Sequence, residues 1–341
     1  MRHHMLPFHN HDRPYVIAEI GGNHGGDADT AMEYVETAAA AGADAAKFQL
    51  YQAEHLITRD HPPLPLAGDE YDSQFERFQE LELTRSEWEQ VVAACDDHNI
   101  DFVASVFDTE MLAFAAERTP FLKIASGDVT NLPLLRDAVD TGLPLVVSTG
   151  FTTLEELDAA VAELPTERLT LLHCMGSYPT PDDAANLAMI ETLRERYDVP
   201  VGYSDHTIGT LAPITSAAHG AQVIEKHFTL DKSQDIGDHR LSATPGQLAT
   251  IVEQTARVTA MHGTGDRSTV FAEEREIRET MRRSLATARD VEAGETLTED
   301  DLTALRPASG LSPLDLDAVV GRRVSDAVSA HTILTESHLA D

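Results

Sequence analysis

Eight short apolar runs, spaced by stretches of helical periodicity, set the tightest limit on what this chain can become. They read YVIAEIG (residues 15–21), AAKFQL (45–50), DFVASV (101–106), FLKIAS (121–126), LPLVVST (143–149), LTLLHC (169–174), VPVGYSD (199–205) and AQVIEKHF (221–228). Between them lie TAMEYVETAAAAG, TRSEWEQVVAACDDHN, LPLLRDAVDTG, TLEELDAAVAEL and LAPITSAAHG, several closing on the glycine that stops a helix. Runs this short, bounded by helices, read as strands of a parallel sheet. Eight such units over about 250 residues fit a closed (β/α)8 TIM barrel better than an open doubly wound sheet.

A barrel of this kind carries its chemistry at the C-terminal ends of its strands. The first run carries Glu19 and opens into Asn23, His24 and a glycine-rich turn, expected to leave room for a substrate beside those two residues. Later ends supply Lys47 and Gln49, Ser105, then Lys123, Ser126 and Asp128. Ser148 and Thr149 follow, with His173 and Tyr178 after them. The last two runs bring Ser204, Asp205 and His206, and Glu225 and His227. The segment from Leu56 to Glu80, LITRDHPPLPLAGDEYDSQFERFQE, is a proline-containing insertion on the same side and reads as a partial lid or a plain surface excursion.

Charge sharpens the selection. The formal net charge of −33 excludes nonspecific binding to nucleic acid or to an anionic membrane surface. It suits a protein hydrated in concentrated salt, where screening suppresses self-repulsion, so a halophilic habitat is expected. Lysine is nearly absent: Lys47, Lys123, Lys226 and Lys232 are all there are, and the first three sit inside apolar runs. A buried amine needs a partner or a task, which makes these three site candidates, with a salt-bridged or snorkelling amine as the alternative for each.

No window holds the roughly 18 apolar residues of a membrane span, and the N-terminal residues lack a signal-peptide core, so a cytoplasmic location is expected. Cys95 and Cys174 have no C-x-x-C spacing and read as small buried residues.

The composition changes after a polar linker. The chain is expected to divide into a tail (1–13), the barrel (14–261), a linker (262–283) and a small second domain (284–341). Within that domain DVEAGETLTEDDL (290–302) and AVSAHTILTESHL (327–339) agree at six of thirteen positions, a duplicated strand-turn-helix unit. About 58 residues make a marginal core, so support from a barrel, its own or a partner's, is expected.

Two kinds of chemistry fit the strand ends. His206 and His227 follow adjacent strands and can converge on a divalent metal, with Glu19 nearby, although strand-end histidines also serve as hydrogen-bonded structural groups. The serines with Lys47 and Lys123 are donors for a phosphate or carboxylate in a water-restricted pocket.

In order along the chain, IAEIGGNHGGD, GADAAKFQLY, KIASGDVTNLPLL, VVSTGFTTLEE, HCMGSYPTP, VGYSDHTIG, EKHFTLD and GDHRLSATP resemble the N-acetylneuraminate (sialic acid) synthase family, legionaminic acid synthases included. RRSLATARDVEAGETLTEDDLTALRPASGL resembles its antifreeze-like (SAF, β-clip) domain, mainly β. The resemblance implies condensation of phosphoenolpyruvate with an N-acetylated mannosamine-type sugar, giving a nine-carbon keto acid and phosphate. It implies a divalent metal, Mn first with Mg or Co as alternatives, on His206 and His227. Lys47, Ser105, Lys123, Ser126, Ser148 and Ser204 would hold phosphoenolpyruvate, with Glu19, Lys47 and Lys123 catalytic and Glu19 acting on the attacking water. Gln49, Asp128, Tyr178 and Asp238 would face the sugar. Arg306 would reach a partner's site to meet the N-acetyl group, which implies a domain-swapped homodimer. Gly176, Asp128 and Ala308 depart from the usual asparagine, glutamate and glycine, and leave the identity of the sugar open. A barrel metal-dependent hydrolase and a catalytically inactive sugar-binding protein are the alternative readings.

Overall fold

The structure, a computed structural model, describes residues 13–62, 71–234 and 237–340. The chain divides into two compact units, Met1–Gly263 and Thr264–Asp341.

In the first unit the eight apolar runs form eight parallel strands: β1 (Tyr15–Gly21), β2 (Ala45–Leu50), β3 (Asp101–Val106), β4 (Leu122–Ile124), β5 (Leu145–Ser148), β6 (Leu169–Cys174), β7 (Val201–Asp205) and β8 (Val223–His227). Each pairs with the next in sequence, and β8 pairs with β1 to close the barrel. Several helices begin on sequence-encoded caps: Thr84 and Thr153 each form a capping box with a glutamate three residues on, and Asp27 caps the helix Ala28–Ala40.

Alternation along each strand divides the core in two. Outward residues such as Val16, Ala18, Phe48, Ala104, Ile124 and Leu171 pack against the helices. Inward residues Tyr15, Ile17, Ala45, Val103, Phe121, Val146, Leu172 and Val223 form a separate apolar plug within the barrel. The inward positions beyond that plug, toward the C-terminal strand ends, carry the polar side chains. The lumen therefore has a dry floor and a charged ceiling.

The insertion after β2 frames that ceiling. Residues 63–70, the middle of the segment read as a lid, lie outside the described residues. The second half returns as the helix Gln74–Leu81 and meets the turn after β1 so closely that a Cβ on Gly26 would overlap the Glu80 carbonyl. Gly26 also has φ +75°, so only glycine serves there.

The second unit contains the antiparallel pair β9 (Ser284–Thr287) and β10 (Leu302–Leu305) and a core of Leu285, Val291, Leu297, Val319, Val324, Val328, Leu334 and Leu339. The thirteen-residue repeat is structural. Val291 bridges to Val328, Leu297 and Leu334 are matching core residues, and Gly294 and His331 both adopt positive φ. Thr298 with Asp301 and Thr335 with His338 form equivalent capping boxes on two short 3-10 turns. The duplicated sequence encodes two copies of one turn.

Candidate active site

β1, β2, β4 and β8 supply a buried quartet of charge. Lys47 and Lys123 are each 2% exposed and Glu19 2%, with Glu225 also buried. Glu19 Oε2 lies 2.6 Å from Lys47 Nζ, near enough for an ion pair though poorly aligned as a hydrogen bond. Glu225 sits between the two amines, 3.7 Å from Lys47 and 3.9 Å from Lys123. Two ammoniums and two carboxylates in one dry cavity balance each other, and without that balance each would be strongly disfavoured.

Serines and backbone donors surround the quartet. Lys47 Nζ donates to Ser105 Oγ at 2.9 Å and Lys123 Nζ to Ser148 Oγ at 2.7 Å. Ser204 Oγ donates to Glu225 at 3.1 Å, and the Gly150 N–H to Ser126 Oγ at 3.1 Å. Gln49 Nε2 reaches Glu19 Oε1 at 3.4 Å.

Burial tunes these groups. It pushes the Glu19 carboxyl up to about 7, with the Lys47 charge opposing and the Glu225 charge reinforcing the rise. Burial pulls the Lys123 amine below the ordinary lysine range, only partly offset by Glu225. Lys47 also feels burial, but Glu19 and Glu225 outweigh it and hold its amine above that range.

Two imidazoles stand beside the quartet. The rings of His206 and His227 are 5.3 Å apart, and Tyr178 lies 4.0 Å from the first and 6.2 Å from the second. Burial holds His206 down to about 4 and His227 down to about 3, so both are neutral near pH 7. His206 Nδ1 sits 2.7 Å from the Met175 carbonyl, which places the proton there and leaves Nε2 with a free lone pair. His227 Nδ1 is buried without a hydrogen-bond partner, its nearest acid being Asp238 at 3.6 Å.

Glu19, Lys47, Gln49, Ser105, Lys123, Ser126, Ser148, Tyr178, Ser204, His206, His227 and Asp238 thus gather at one end of the lumen. Asp128 stands apart in the turn after β4, half-buried, holding Asn131. Arg306 follows β10 in the second unit and is exposed there.

Other expectations change. Lys226 faces out of the lumen, fully buried, with Nζ 2.7 Å from Asp205 Oδ2 and in contact with the Thr207 carbonyl. Asp205 in turn accepts from Tyr203 Oη and the Thr207 N–H. This is a structural clamp between β7 and β8, because a period of two puts Lys226 on the opposite face from Glu225 and His227. His173 also faces outward, bonded to the Ala185 carbonyl and stacked on Tyr203.

Asn23 and His24 offer no room beside them. Asn23 donates to the Phe228 carbonyl and Ser242 Oγ, and His24 is buried against Phe48 and Trp88. Both lock the β1 turn. Cys174 is buried as expected, but its thiol lies 3.8 Å from His206 Nδ1 and so lines the site. Glu225, by sequence one more polar strand end, shares the lumen face with His227 because strand alternation puts both on the same side.

Fold and site together define a (β/α)8-barrel protein whose chemistry is built from inward strand positions at the C-terminal face. The chain belongs to the NeuB family, which matches residues 34–267, and residues 282–340 match the SAF domain. It is 34% identical over 336 residues to the N,N'-diacetyllegionaminic acid synthase of Legionella pneumophila, covering 95% of this chain and 94% of that one. It is 32% identical to the N-acetylneuraminate-9-phosphate synthase of Drosophila melanogaster, over 93% of both chains. Among solved structures, the N-acetylneuraminic acid synthetase of Leptospira borgpetersenii, in complex with citrate, matches with TM-score 0.70 at 35% identity, over 78% of this chain and 90% of that one. The protein is an enzyme of this family of sugar-acid synthases. No helix among the described residues is long and apolar enough to cross a membrane.

Proposed function

We propose that the protein condenses phosphoenolpyruvate with an N-acetylated mannosamine-type sugar, giving a nonulosonic acid of the N-acetylneuraminate or legionaminate kind plus phosphate. The observation that carries this reading is the convergence of Lys47 and Lys123, each on a serine, in a lumen where two neutral imidazoles stand beside Glu19. Two amines and several hydroxyls in a closed space suit a small polyanion. In a protein of net charge −33 only such a local patch attracts one.

Lys47, Ser105, Lys123, Ser126, Ser148 and Ser204 hold the phosphate and carboxylate. Carbon 3 of the enol adds to the sugar aldehyde carbon, water adds at carbon 2, and the adduct collapses with carbon–oxygen cleavage to the keto acid and phosphate. Glu19 accepts a proton from that water or orients it, and its carboxyl, held near 7, suits proton transfer at neutral pH. The lysines stabilise the charge on the departing phosphate. Gln49, Tyr178, Asp238 and Asp128 would face the sugar.

A divalent metal fits the two imidazoles. His206 has a free Nε2, His227 an unpartnered buried Nδ1, and both are neutral, the form that ligates. No group of three or more His, Cys, Asp or Glu able to hold a metal occurs among the described residues, so substrate or water would have to complete the set. Manganese, or magnesium or cobalt, would supply Lewis-acid polarisation of the sugar aldehyde.

Arg306 is assigned to the sugar's N-acetyl group, reached from a partner in a domain-swapped homodimer. Its exposure within its own unit is compatible with such a reach. The test is phosphate release from phosphoenolpyruvate with Mn and N-acetylmannosamine or its 2,4-diacetamido-6-deoxy counterpart, in high salt. Release dependent on sugar and abolished by EDTA is expected, and no release with either sugar overturns the reading.

A further inference from the structure

Phe151 is a residue of the barrel mouth that neither the fold nor the proposed chemistry explains. It follows Gly150, whose N–H meets Ser126 Oγ, and it is 67% exposed. Its backbone sits at φ +60°, a left-handed conformation that a bulky residue adopts only when its surroundings hold it there. Its ring lies over Gly176, in the loop after β6, so closely that a Cβ built on Gly176 would fall against the ring atoms. Two residues further, the same loop carries Tyr178, whose ring packs on that of His206. Strained backbone, exposed phenyl ring and a glycine that leaves the ring its seat are three separate observations on one spot.

We propose that Phe151 is a specificity-determining wall of the sugar subsite, seated by Gly176, and that its ring receives a methyl-bearing part of the amino sugar. A phenyl face offers no hydrogen bond to a hydroxyl and no charge to a phosphate, and it gains by covering C–H groups. The methyl comes from a 6-deoxy carbon or from a second acetamido group, at carbon 4. The proposal rests on the synthase reading above and deepens it by naming the class of sugar. It also explains glycine at position 176: a larger residue there would evict the ring.

The test uses full-length, Mn-loaded enzyme and phosphate release with three sugars: N-acetylmannosamine, its 6-deoxy analogue, and the 2,4-diacetamido-6-deoxy sugar. One apolar carbon group in a fitted pocket is worth about 10-fold to 200-fold in kcat/KM, so the wild type should gain at least tenfold at one of the two steps. A gain at the first assigns the deoxy carbon, and a gain at the second assigns the methyl of the carbon-4 acetamido group. Phe151→Ala should erase that gain and raise the sugar KM about tenfold while leaving the phosphoenolpyruvate KM unchanged. Phe151→Leu, which keeps apolar bulk, should retain part of the gain. Gly176→Asn should reproduce Phe151→Ala, and the double variant should be no worse than either single one.

Equal turnover of all three sugars by the wild type overturns the proposal, as does unchanged selectivity in Phe151→Ala. An altered sedimentation coefficient with selectivity intact also overturns it and assigns the ring to a subunit contact. If the wild type releases phosphate with none of the sugars, it is the synthase reading that fails.

Discussion

Lys47 and Lys226 are almost equally buried, at 2% and 0% exposure, yet they differ in kind. Lys226 lies on the outward face of β8, where one carboxylate, Asp205, and one carbonyl hold it. Lys47, with Lys123, lies inside the lumen among two carboxylates and two serines, and close enough to His227 for its charge to act on that imidazole. Burial alone therefore does not mark a functional lysine. What separates the two is whether neighbouring donors converge on shared space or close upon one partner.

That contrast can be broken by experiment. Lys226→Met leaves Asp205 buried without its counter-charge and should destabilise the barrel by about 3–5 kcal/mol, read by chemical denaturation. Lys226→Met combined with Asp205→Leu should recover most of the loss, since an apolar pair of similar volume replaces a buried ion pair at little cost. Failure to recover would show that the Tyr203 and Thr207 contacts to Asp205, and not the ion pair, hold the clamp.

Lys123→Met should act mainly on turnover, lowering kcat/KM by about 10²–10³-fold as loss of one preorganised donor does, with some loss of stability as well because the buried quartet is left one positive charge short. A variant that melts early but turns over normally would place Lys123 beside Lys226 as a structural amine.

The pH dependence of turnover sharpens the lumen side. With the Glu19 carboxyl near 7, turnover that needs its carboxylate should rise through about pH 7, and Glu19→Gln should lose that limb. Stability runs the other way. Over the window from the ordinary carboxylate range to about 7 the folded state holds a proton that the unfolded state has released, so the contribution of Glu19 falls as pH rises. Denaturation of wild type and Glu19→Gln across this window should therefore diverge in slope.

The smallest effect per charge concerns the outer surface. Exposed acids are screened by salt whereas the buried quartet is not, so the melting temperature should climb as KCl is raised. Turnover by fully folded enzyme should respond far less. A melting temperature indifferent to salt would remove the halophilic expectation.

Much of the fold was legible because its signals are local. Five of the eight strands, β1, β2, β3 and β6 among them, either match their apolar runs to the residue or end where the run ends, as β7 does at Asp205. The runs around β4, β5 and β8 extend past the paired residues, since apolar character continues into turns after the ladder stops. The repeat in the second unit was legible for the same reason: Thr298 and Thr335 cap their own turns.

The site was legible in its residue types and less so in its geometry. Lys47, Lys123, Glu19 and the serines stood out as polar groups in apolar runs, and the period of two would have separated Glu225 from Lys226. Asn23 and His24 misled because a polar turn at a strand end looks the same whether it faces substrate or braces the next loop. The pairing of Phe151 with Gly176 joins two loops 25 positions apart, and no local pattern signals it.

By itself, then, the sequence determined the eight-unit barrel, the repeat in its small unit and the chemical types available at the strand ends, because each follows from periodicity and capping within a few residues. Only the tertiary structure decided which of those groups share a cavity. Closing β8 onto β1 brings Glu225 and His227 beside Glu19, over 200 positions away, and the balance among buried charges exists only once that closure has excluded water.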